Sequence, residues 1–292
     1  MNQHIRLSIA TAALLAAIPA WAGEQIVRPY QGIRSSAMGS VRLTTGLYDE
    51  NFFGNPARAT QNPKFRVTIL EPLNVETSIG TIGNAGSVIS GGDDVLSNLA
   101  DTAGTNNHLR LQTVFPAVYI PNMGGGKMSY ALGLITSIQA DLDLRKSFAL
   151  APQVVTDIGP ALTVARKLLP DDSLSVGVTL NATYRLSSDV GFTLIDLIQG
   201  KSISPTSSGG EGAHIDGSIG GLYNLPVKLW DWDVQVGATI NNLLGGGYDN
   251  LGLRPANLGR LPLEQPRAFG FGGAMRKASL GQFTDTVFAL EI

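Results

Sequence analysis

The sequence predicts an all-β fold: an antiparallel transmembrane β-barrel preceded by an N-terminal segment, here called the hatch, whose apolar residues indicate that it packs inside another part of the protein. Three observations predict this class. Apolar and polar side chains alternate every two residues along much of the chain, charged residues are scarce, and short and long connections between the alternating segments follow one another in turn. Each observation separates a membrane-spanning sheet from the sheet of a soluble protein.

The alternation is clearest over residues 172–187. Every second side chain from Leu174 to Leu186 is apolar, whereas the side chains between them are Ser, Gly, Thr, Asn or Arg. Successive side chains of a strand point to opposite faces, so the segment has one apolar and one polar face. Strands of soluble sheets average about 5–6 residues, and a bilayer-spanning strand needs about 9–11. The length therefore predicts a transmembrane strand.

Eight further segments repeat this pattern, which gives nine predicted strands. The clearer copies are residues 65–79, 127–142, 212–225 and 230–241, and the weaker ones are 109–120, 151–166, 266–276 and 283–292. Bacterial single-chain barrels have an even number of strands. Either one strand is miscounted, or the barrel is incomplete at its C terminus, where the last residue is Ile292 rather than an aromatic residue.

Composition agrees with a membrane barrel. Charged residues make up 15% of the chain, against about 25% in a typical soluble domain. After residue 22 there is no apolar run of about 18 residues, so membrane helices are not expected. The formal net charge is −2 without a basic cluster, which argues against nucleic acid as a partner. Since the chain has no Cys, it has no disulfide framework and no thiol nucleophile.

The connections between predicted strands alternate in length. The short ones are residues 122–126, 167–171, 226–229 and 277–282, and the longer ones are 83–108, 143–150, 188–211 and 242–265. Outer-membrane barrels have short periplasmic turns and longer extracellular loops. A soluble β-sandwich has no reason to sort its loops in this way.

The first 22 residues are typical of a secretory signal peptide, with an apolar run over residues 7–18 and Ala20-Trp21-Ala22 before the expected cleavage. We therefore expect a signal peptide at 1–22, cleaved after Ala22, a hatch segment at 23–62 and a transmembrane barrel at 63–292. The expected location is the bacterial outer membrane, where the protein contacts membrane lipid as a monomer.

The polar faces of the predicted strands carry a set of charged or titratable residues: Arg185, His214, Asp216, Asp231 and Asp233. Because charges are costly in lipid, these side chains are expected to face the lumen and to pair with the hatch. The opposite faces carry aromatic residues near strand ends, which suits a membrane interface. These are Tyr184, Tyr223, Trp230, Trp232, Phe269 and Phe271.

The connection over residues 188–211 is unusually apolar for a loop. Its apolar residues are Val190, Phe192, Leu194, Ile195, Leu197 and Ile198. The spacing of residues 194, 195 and 198 suits a short amphipathic helix. Two interpretations stay open: a loop that captures hydrophobic ligands at the outer face, and a cap that folds over the barrel mouth.

Enzymatic chemistry is not expected. After residue 22 the chain has two His, His108 and His214, and neither has a flanking nucleophile motif. The three glycines at 124–126 lack the Lys-Ser/Thr of a phosphate-binding loop. No set of His, Asp or Glu has metal-ligand spacing. We therefore expect no catalytic residue, no cofactor and no metal.

Two stretches of the hatch carry motifs: a Gly-Arg-Met-Gly segment, and an acidic pair followed by Asn55-Pro56-Ala57. Together they resemble the N-terminal segment of the FadL-like superfamily of outer-membrane proteins, although the arginine is displaced by one position. The matching residues are Gly32, Arg34, Met38, Gly39, Asp49, Glu50, Asn55, Pro56 and Ala57. Residues 234–249 and 284–292 are similar to strands of a branch that includes TraF-like conjugal-transfer and PorV-like proteins.

The resemblance implies a monomeric fourteen-stranded barrel plugged by its hatch, more strands than this sequence shows. It implies passive uptake of hydrophobic small molecules, such as fatty acids and hydrocarbons, through a lateral opening. The alternative is a structural or secretion- or conjugation-associated barrel without transport. A general porin is disfavoured, since a water-filled channel needs no plug. Asn55-Pro56-Ala57 is expected either to fix the hatch in the lumen or simply to form a turn before the first strand.

Overall fold

The structure is a computed structural model that describes residues 30–70, 73–77, 105–122, 126–144, 150–188, 209–253 and 260–292. The described chain is mostly antiparallel β-sheet with little helix, which confirms the all-β prediction. None of the described helices is long and apolar enough to cross a membrane. The expected signal peptide lies outside the described residues.

In the described part of the chain, ten strands form one sheet in which each pairing is antiparallel and, apart from the first two strands, each strand pairs with its neighbours in sequence. Their bounds are β1 (Arg66–Thr68), β2 (Asn74–Thr77), β3 (Thr105–Ile120), β4 (Met128–Leu144), β5 (Leu150–Lys167), β6 (Leu174–Ser188), β7 (Gly210–Asn224), β8 (Asp233–Asn241), β9 (Ala268–Leu280) and β10 (Phe283–Glu291). Both β1 and β2 pair with β3. Among the described strands, β10 pairs only with β9.

Each predicted strand from residue 109 onward overlaps one of β3–β10, with ends that differ by up to four residues, whereas the first predicted strand is interrupted. Residues 65–79 contain β1 and β2, and Ile69 and Leu70 between them belong to neither strand. β1 pairs with β3 up to Ala117, and β2 resumes the pairing at Gln112. The sequence interrupts the alternation at this point with Leu70, Glu71 and Pro72, and these residues are the local signal of the break.

The two faces of the sheet have the reverse polarity of a soluble protein. On β6, Thr179 and Arg185 are 1% and 0% exposed, whereas the apolar Leu180 is 56% exposed. On β4, Gln139 is buried and Leu132 is exposed. We call the face that contacts the N-terminal segment the inner face and the opposite one the outer face. The inner face is covered and mostly polar, and the outer face is uncovered and mostly apolar.

The buried apolar cluster of the protein lies where the N-terminal segment meets β3, β4 and β5. Its largest members are Tyr30, Phe52, Phe53, Tyr119 and Ile135. Fully burying one such side chain stabilises the fold by about 1.5–3 kcal/mol. The N-terminal segment therefore joins the sheet through an apolar contact near one end and through polar contacts elsewhere.

Candidate functional site

The hatch is described from Tyr30, and it packs on the inner face of the sheet. A short helix, α1 (Ile33–Ala37), and two 3-10 helices, Tyr48–Asn51 and Pro56–Gln61, order this segment. The second 3-10 helix contacts β4, β5, β6 and β7. Its residues Pro56–Thr60 are buried. The described part of the hatch is therefore packed against the sheet.

Asn55 holds the hatch at three points. Its Oδ1 accepts a hydrogen bond from the amide of Ala57 (3.0 Å), which caps the second 3-10 helix. Its Nδ2 donates to the carbonyl of Leu43 (3.0 Å) and to the carbonyl of Gly221 on β7 (2.9 Å). Pro56 occupies the first helical position, where no amide donor is required. One buried side chain thus starts a helix, joins two parts of the hatch and ties them to the sheet.

Three glycines on adjacent strands accommodate the Asn55-Pro56-Ala57 turn. A Cβ at Gly177 would lie 2.5 Å from the carbonyl carbon of Pro56, and one at Gly220 would overlap Asn55 Oδ1. A Cβ at Gly237 would lie 3.0 Å from Asn55 Nδ2. Gly177 and Gly220 are directly opposite each other in the register of β6 and β7. The strands lack side chains here because the turn backbone and the Asn55 side chain occupy that space.

Arg58 is a buried cation in the hatch, with 1% of its surface exposed. Its Nε donates to the carbonyl of Gly46 (3.0 Å), and its guanidinium also donates to Gln235 on β8 (3.0 Å) and to Gln61. Burial lowers the pKa of Arg58 to about 9, so the group stays charged at neutral pH. The charge is solvated by neutral amide and carbonyl oxygens of the hatch and the sheet.

The hatch also contacts strands near both ends of the strand order. At one end, the amide of Gln31 donates to Gln112 of β3 (2.9 Å), and Asn74 of β2 donates to the carbonyl of Gln31 (2.9 Å). At the other end, the Glu291 carboxylate of β10 accepts hydrogen bonds from the amides of Arg42 (2.6 Å) and Leu43 (3.0 Å). The hatch therefore links the two edges of the described sheet.

A cavity of 270 Å³ lies between the hatch and the edge formed by β2 and β3. Tyr30, Ile33, Leu47, Tyr48 and Thr113 are among the residues that line it. It adjoins the break between β1 and β2, because residues 113–116 of β3 lie between the two paired stretches. In that break Ile69 and Leu70 are 81% and 79% exposed. The charged side chains of Arg34, Asp49 and Glu50 also line the cavity.

Three of the predicted lumen residues lie on or beside the covered face. Arg185 is fully buried and binds Asp157 on the facing position of β5, with N–O distances of 2.7 and 2.8 Å. His214 Nε2 lies 3.1 Å from Asp216 Oδ2, and Asp216 is 4% exposed. The partner found for Arg185 is a strand carboxylate and not a hatch residue.

The structure places Asp231 and Asp233 elsewhere, which corrects their expected lumen position. Asp231 lies in the turn before β8 with a φ of 65°, and its side chain is 88% exposed. The Asp233 side chain is 63% exposed and lies 3.2 Å from Lys228. The chain turns at Trp230 and Asp231, so the strand begins at Asp233 and not at residue 230. The alternating pattern ran past the true end of the strand.

The other predicted site, the apolar loop with Phe192, Leu194, Ile195, Leu197 and Ile198, lies outside the described residues. Within the described ranges, no group of three or more His, Cys, Asp or Glu side chains is placed to hold a metal ion. Sequence reasoning missed the glycine seat of the hatch, Gly177, Gly220 and Gly237. An isolated glycine inside a strand pattern is the signal that could have found it, since it often marks close backbone approach.

Comparisons with protein-family models, with curated proteins and with solved structures found no match for this chain. The functional assignment therefore depends on the geometry described above.

A single methyl group on the glycine seat should displace the hatch. Gly220→Ala places a Cβ against Asn55 Oδ1, whereas Gly221→Ala, one residue further on, meets nothing within 4 Å. We expect Gly220→Ala to lower the free energy of unfolding by about 1–3 kcal/mol, as overpacking does, and to speed proteolysis within the hatch. Equal protease resistance of the two variants would show that the hatch is not seated on this glycine.

Asn55→Ala tests the three-point anchor directly. It leaves the carbonyls of Leu43 and Gly221 and the amide of Ala57 without this partner. Since an unpaired buried polar group costs about 1–3 kcal/mol, we expect a loss of about 2–4 kcal/mol in urea unfolding of the detergent-solubilised protein. Ser36→Ala, at an exposed hatch position, is the matched control and should be close to neutral. A loss no greater than that of the control would contradict the anchor.

Proposed function

We propose that this chain is an integral protein of the bacterial outer membrane, in which the sheet forms a barrel and the hatch fills its lumen. The inverted polarity of the sheet carries this proposal. The outer face exposes large apolar side chains such as Leu132, Leu180 and Ile215, at 54%, 56% and 67%. Keeping such surface in water costs about 25 cal/mol per Å², whereas hydrocarbon accepts it without cost.

The backbone supports the same proposal. In hydrocarbon each amide and carbonyl requires a partner, so a membrane-spanning sheet has to close on itself. The hatch contacts β3 through Gln31 and β10 through Arg42 and Leu43. A segment that touches both edges of the sheet favours their approach around it, and we include closure of the barrel in the proposal.

A matched pair of charged substitutions tests membrane insertion. Leu180→Arg places a charge on the outer face in mid-strand, and Leu168→Arg places the same charge in the β5–β6 turn, where the native Leu is 48% exposed. In a bilayer, a mid-strand Arg costs about 2–4 kcal/mol and one near the interface about 0–1. We expect Leu180→Arg alone to reduce the folded fraction in lipid vesicles. If both variants fold equally well there, the outer face does not contact lipid.

For the activity, we propose passive uptake of hydrophobic small molecules such as long-chain fatty acids. The single observation that favours uptake is the break between β1 and β2 beside the cavity between the hatch and β3. The break is flanked by the exposed apolar side chains of Ile69 and Leu70. An apolar ligand that reaches the cavity would be able to leave sideways into the membrane there, without crossing the polar inner face.

Filling the cavity should block uptake without unfolding the protein. Leu47 lines the cavity and is half-buried, so Leu47→Trp occupies part of that space. We expect cells with this variant to take up labelled long-chain fatty acid several-fold more slowly than cells with the unmodified protein. Leu168→Trp, in the β5–β6 turn, is the control and should leave uptake unchanged.

A structural or secretion-associated role without transport is the second candidate, and one observation favours it. The hatch is tied to β2, β3, β7, β8 and β10 by hydrogen bonds of Asn74, Gln31, Asn55, Arg58 and Glu291. A hatch held by this many hydrogen bonds resists displacement, as expected of a barrel that serves as a scaffold and does not pass ligands. Equal fatty-acid uptake by cells with and without the protein would reject transport and leave this candidate.

A further inference from the structure

The described parts of the connection between β8 and β9 fold back onto β6 and β7. We call its described residues, 242–253 and 260–265, the strap. Asp249 pairs with Ala213 of β7 through two backbone hydrogen bonds, each 2.9 Å long. The amide of Leu243 donates to the carbonyl of Gly217 on the same strand (2.9 Å). The first half of the strap thus adds a local backbone pairing to β7.

The second half of the strap is also bound to the sheet. The amide of Leu263 donates to Ser187 Oγ on β6 (2.7 Å), and the amide of Glu211 on β7 donates to the carbonyl of Arg260 (3.2 Å). A Cβ at Gly210 would overlap the carbonyl of Leu261. Because Gly210 has no side chain, the backbones of the strap and of β7 can lie this close together.

Arg185 contacts both halves of the strap. Its guanidinium donates to the carbonyl of Leu263 (2.9 Å) and to Gln265 Oε1 (3.3 Å), and it lies 5.0 Å from the ring centroid of Tyr248. Asp157 compensates its charge. The Tyr248 residue is 5% exposed, and burial raises the pKa of its phenol, so the ring is neutral at physiological pH. One guanidinium therefore latches the two halves of the strap to β6.

A second cavity, of 160 Å³, lies between the strap and the hatch. Hatch residues Arg42 and Phe53 line one side, strap residues Asn242 and Gln265 line another, and Ser218 and Thr239 belong to the sheet. The hatch and the strap thus border the same cavity from different directions, and the exposed residues Arg267 and Phe269 line its remaining side.

We propose that the strap is a second closure of the lumen, latched by Arg185, and that the cavity at Ser218 opens to the outer solution only when the strap releases. This inference rests on the proposed barrel and deepens the proposed function, because a ligand from outside would have to pass the strap before it meets the hatch. It assigns Arg185 and Tyr248 a positioning role in gating.

Thiol accessibility tests the strap, since the chain contains no Cys. Ser218→Cys places one thiol in the cavity, at a position 6% exposed. In the purified, detergent-solubilised protein, a charged maleimide should label it slowly when the strap is closed. Tyr248→Ala removes the ring that packs on Arg185 and should speed labelling by roughly tenfold or more, as local opening does. Tyr248→Phe keeps the ring and should leave the rate unchanged, and Leu168→Cys in a turn should label rapidly in each background.

Equal labelling rates with Tyr, Phe and Ala at position 248, in proteins that all fold, would overturn the proposal. Rapid labelling with Tyr248 intact would overturn it as well. A second measurement covers the case in which Tyr248→Ala fails to fold. Ala213→Cys combined with Asp249→Cys should form a disulfide across the backbone pair, detected by thiol counting. Two free thiols after mild oxidation would show that the strap does not lie on β7.

The thiol measurements keep this inference separate from the proposed transport. If the protein carries no fatty acid, uptake is absent in each variant while the labelling rates still report whether the strap closes the cavity. If transport occurs, oxidation of the double variant with thiols at positions 213 and 249 should slow uptake, and reductant should restore it. Uptake that is the same in the oxidised and reduced protein would overturn a gating role for the strap.

Discussion

The constraint that governs this structure is the polarity of the inner face of the sheet. Buried Ser, Thr, Gln, Asp and Arg side chains require hydrogen-bond partners, because a buried polar group without one destabilises the fold by about 1–3 kcal/mol. The hatch and the strap supply many of these partners. Gln112 is bound by Gln31, Gln235 by Arg58, and Ser187 by Leu263. A polar face covered by chain segments leaves the apolar face outward, and the proposed membrane location follows from this arrangement.

The buried arginine of the hatch and the buried arginine beneath the strap have different kinds of partner. Arg58 of the hatch donates its hydrogen bonds to neutral oxygens, whereas Arg185 beneath the strap has the bidentate partner Asp157. A buried ion pair gains little net free energy over an apolar pair of similar size, but removing one partner costs about 3–5 kcal/mol. Arg185 thus contributes less to overall stability than to fixing where the strap lies. The register of β5 and β6 places Arg185 opposite Asp157, and the position of Arg185 in turn determines where the strap binds.

Much of the sheet could be predicted because its signal is local. Two-residue alternation predicted β3–β10 and placed Arg185 and Asp216 on a polar face, since neighbouring side chains along a strand suffice to define it. The turn at Asp231 could not be predicted in this way, because the alternating residues continue through it. The break after β1 had a local signal in Leu70, Glu71 and Pro72, where the alternation is interrupted. The glycine seat and the partner of Arg185 depend on which strands lie side by side and in what register, and no local pattern encodes that.

The contacts of the hatch imply an order of assembly. Arg42 precedes its partner Glu291 by 249 positions in sequence, and Asn55 precedes Gly221 by 166. Contacts of such long range form late, because the entropy of closing the intervening chain is lost before the contact stabilises the fold. The β-hairpins between neighbouring strands close much shorter loops. The hatch is the first described segment to be synthesised, yet its anchors exist only once β7 and β10 are in place, so its seating completes the fold and depends on a correctly registered sheet.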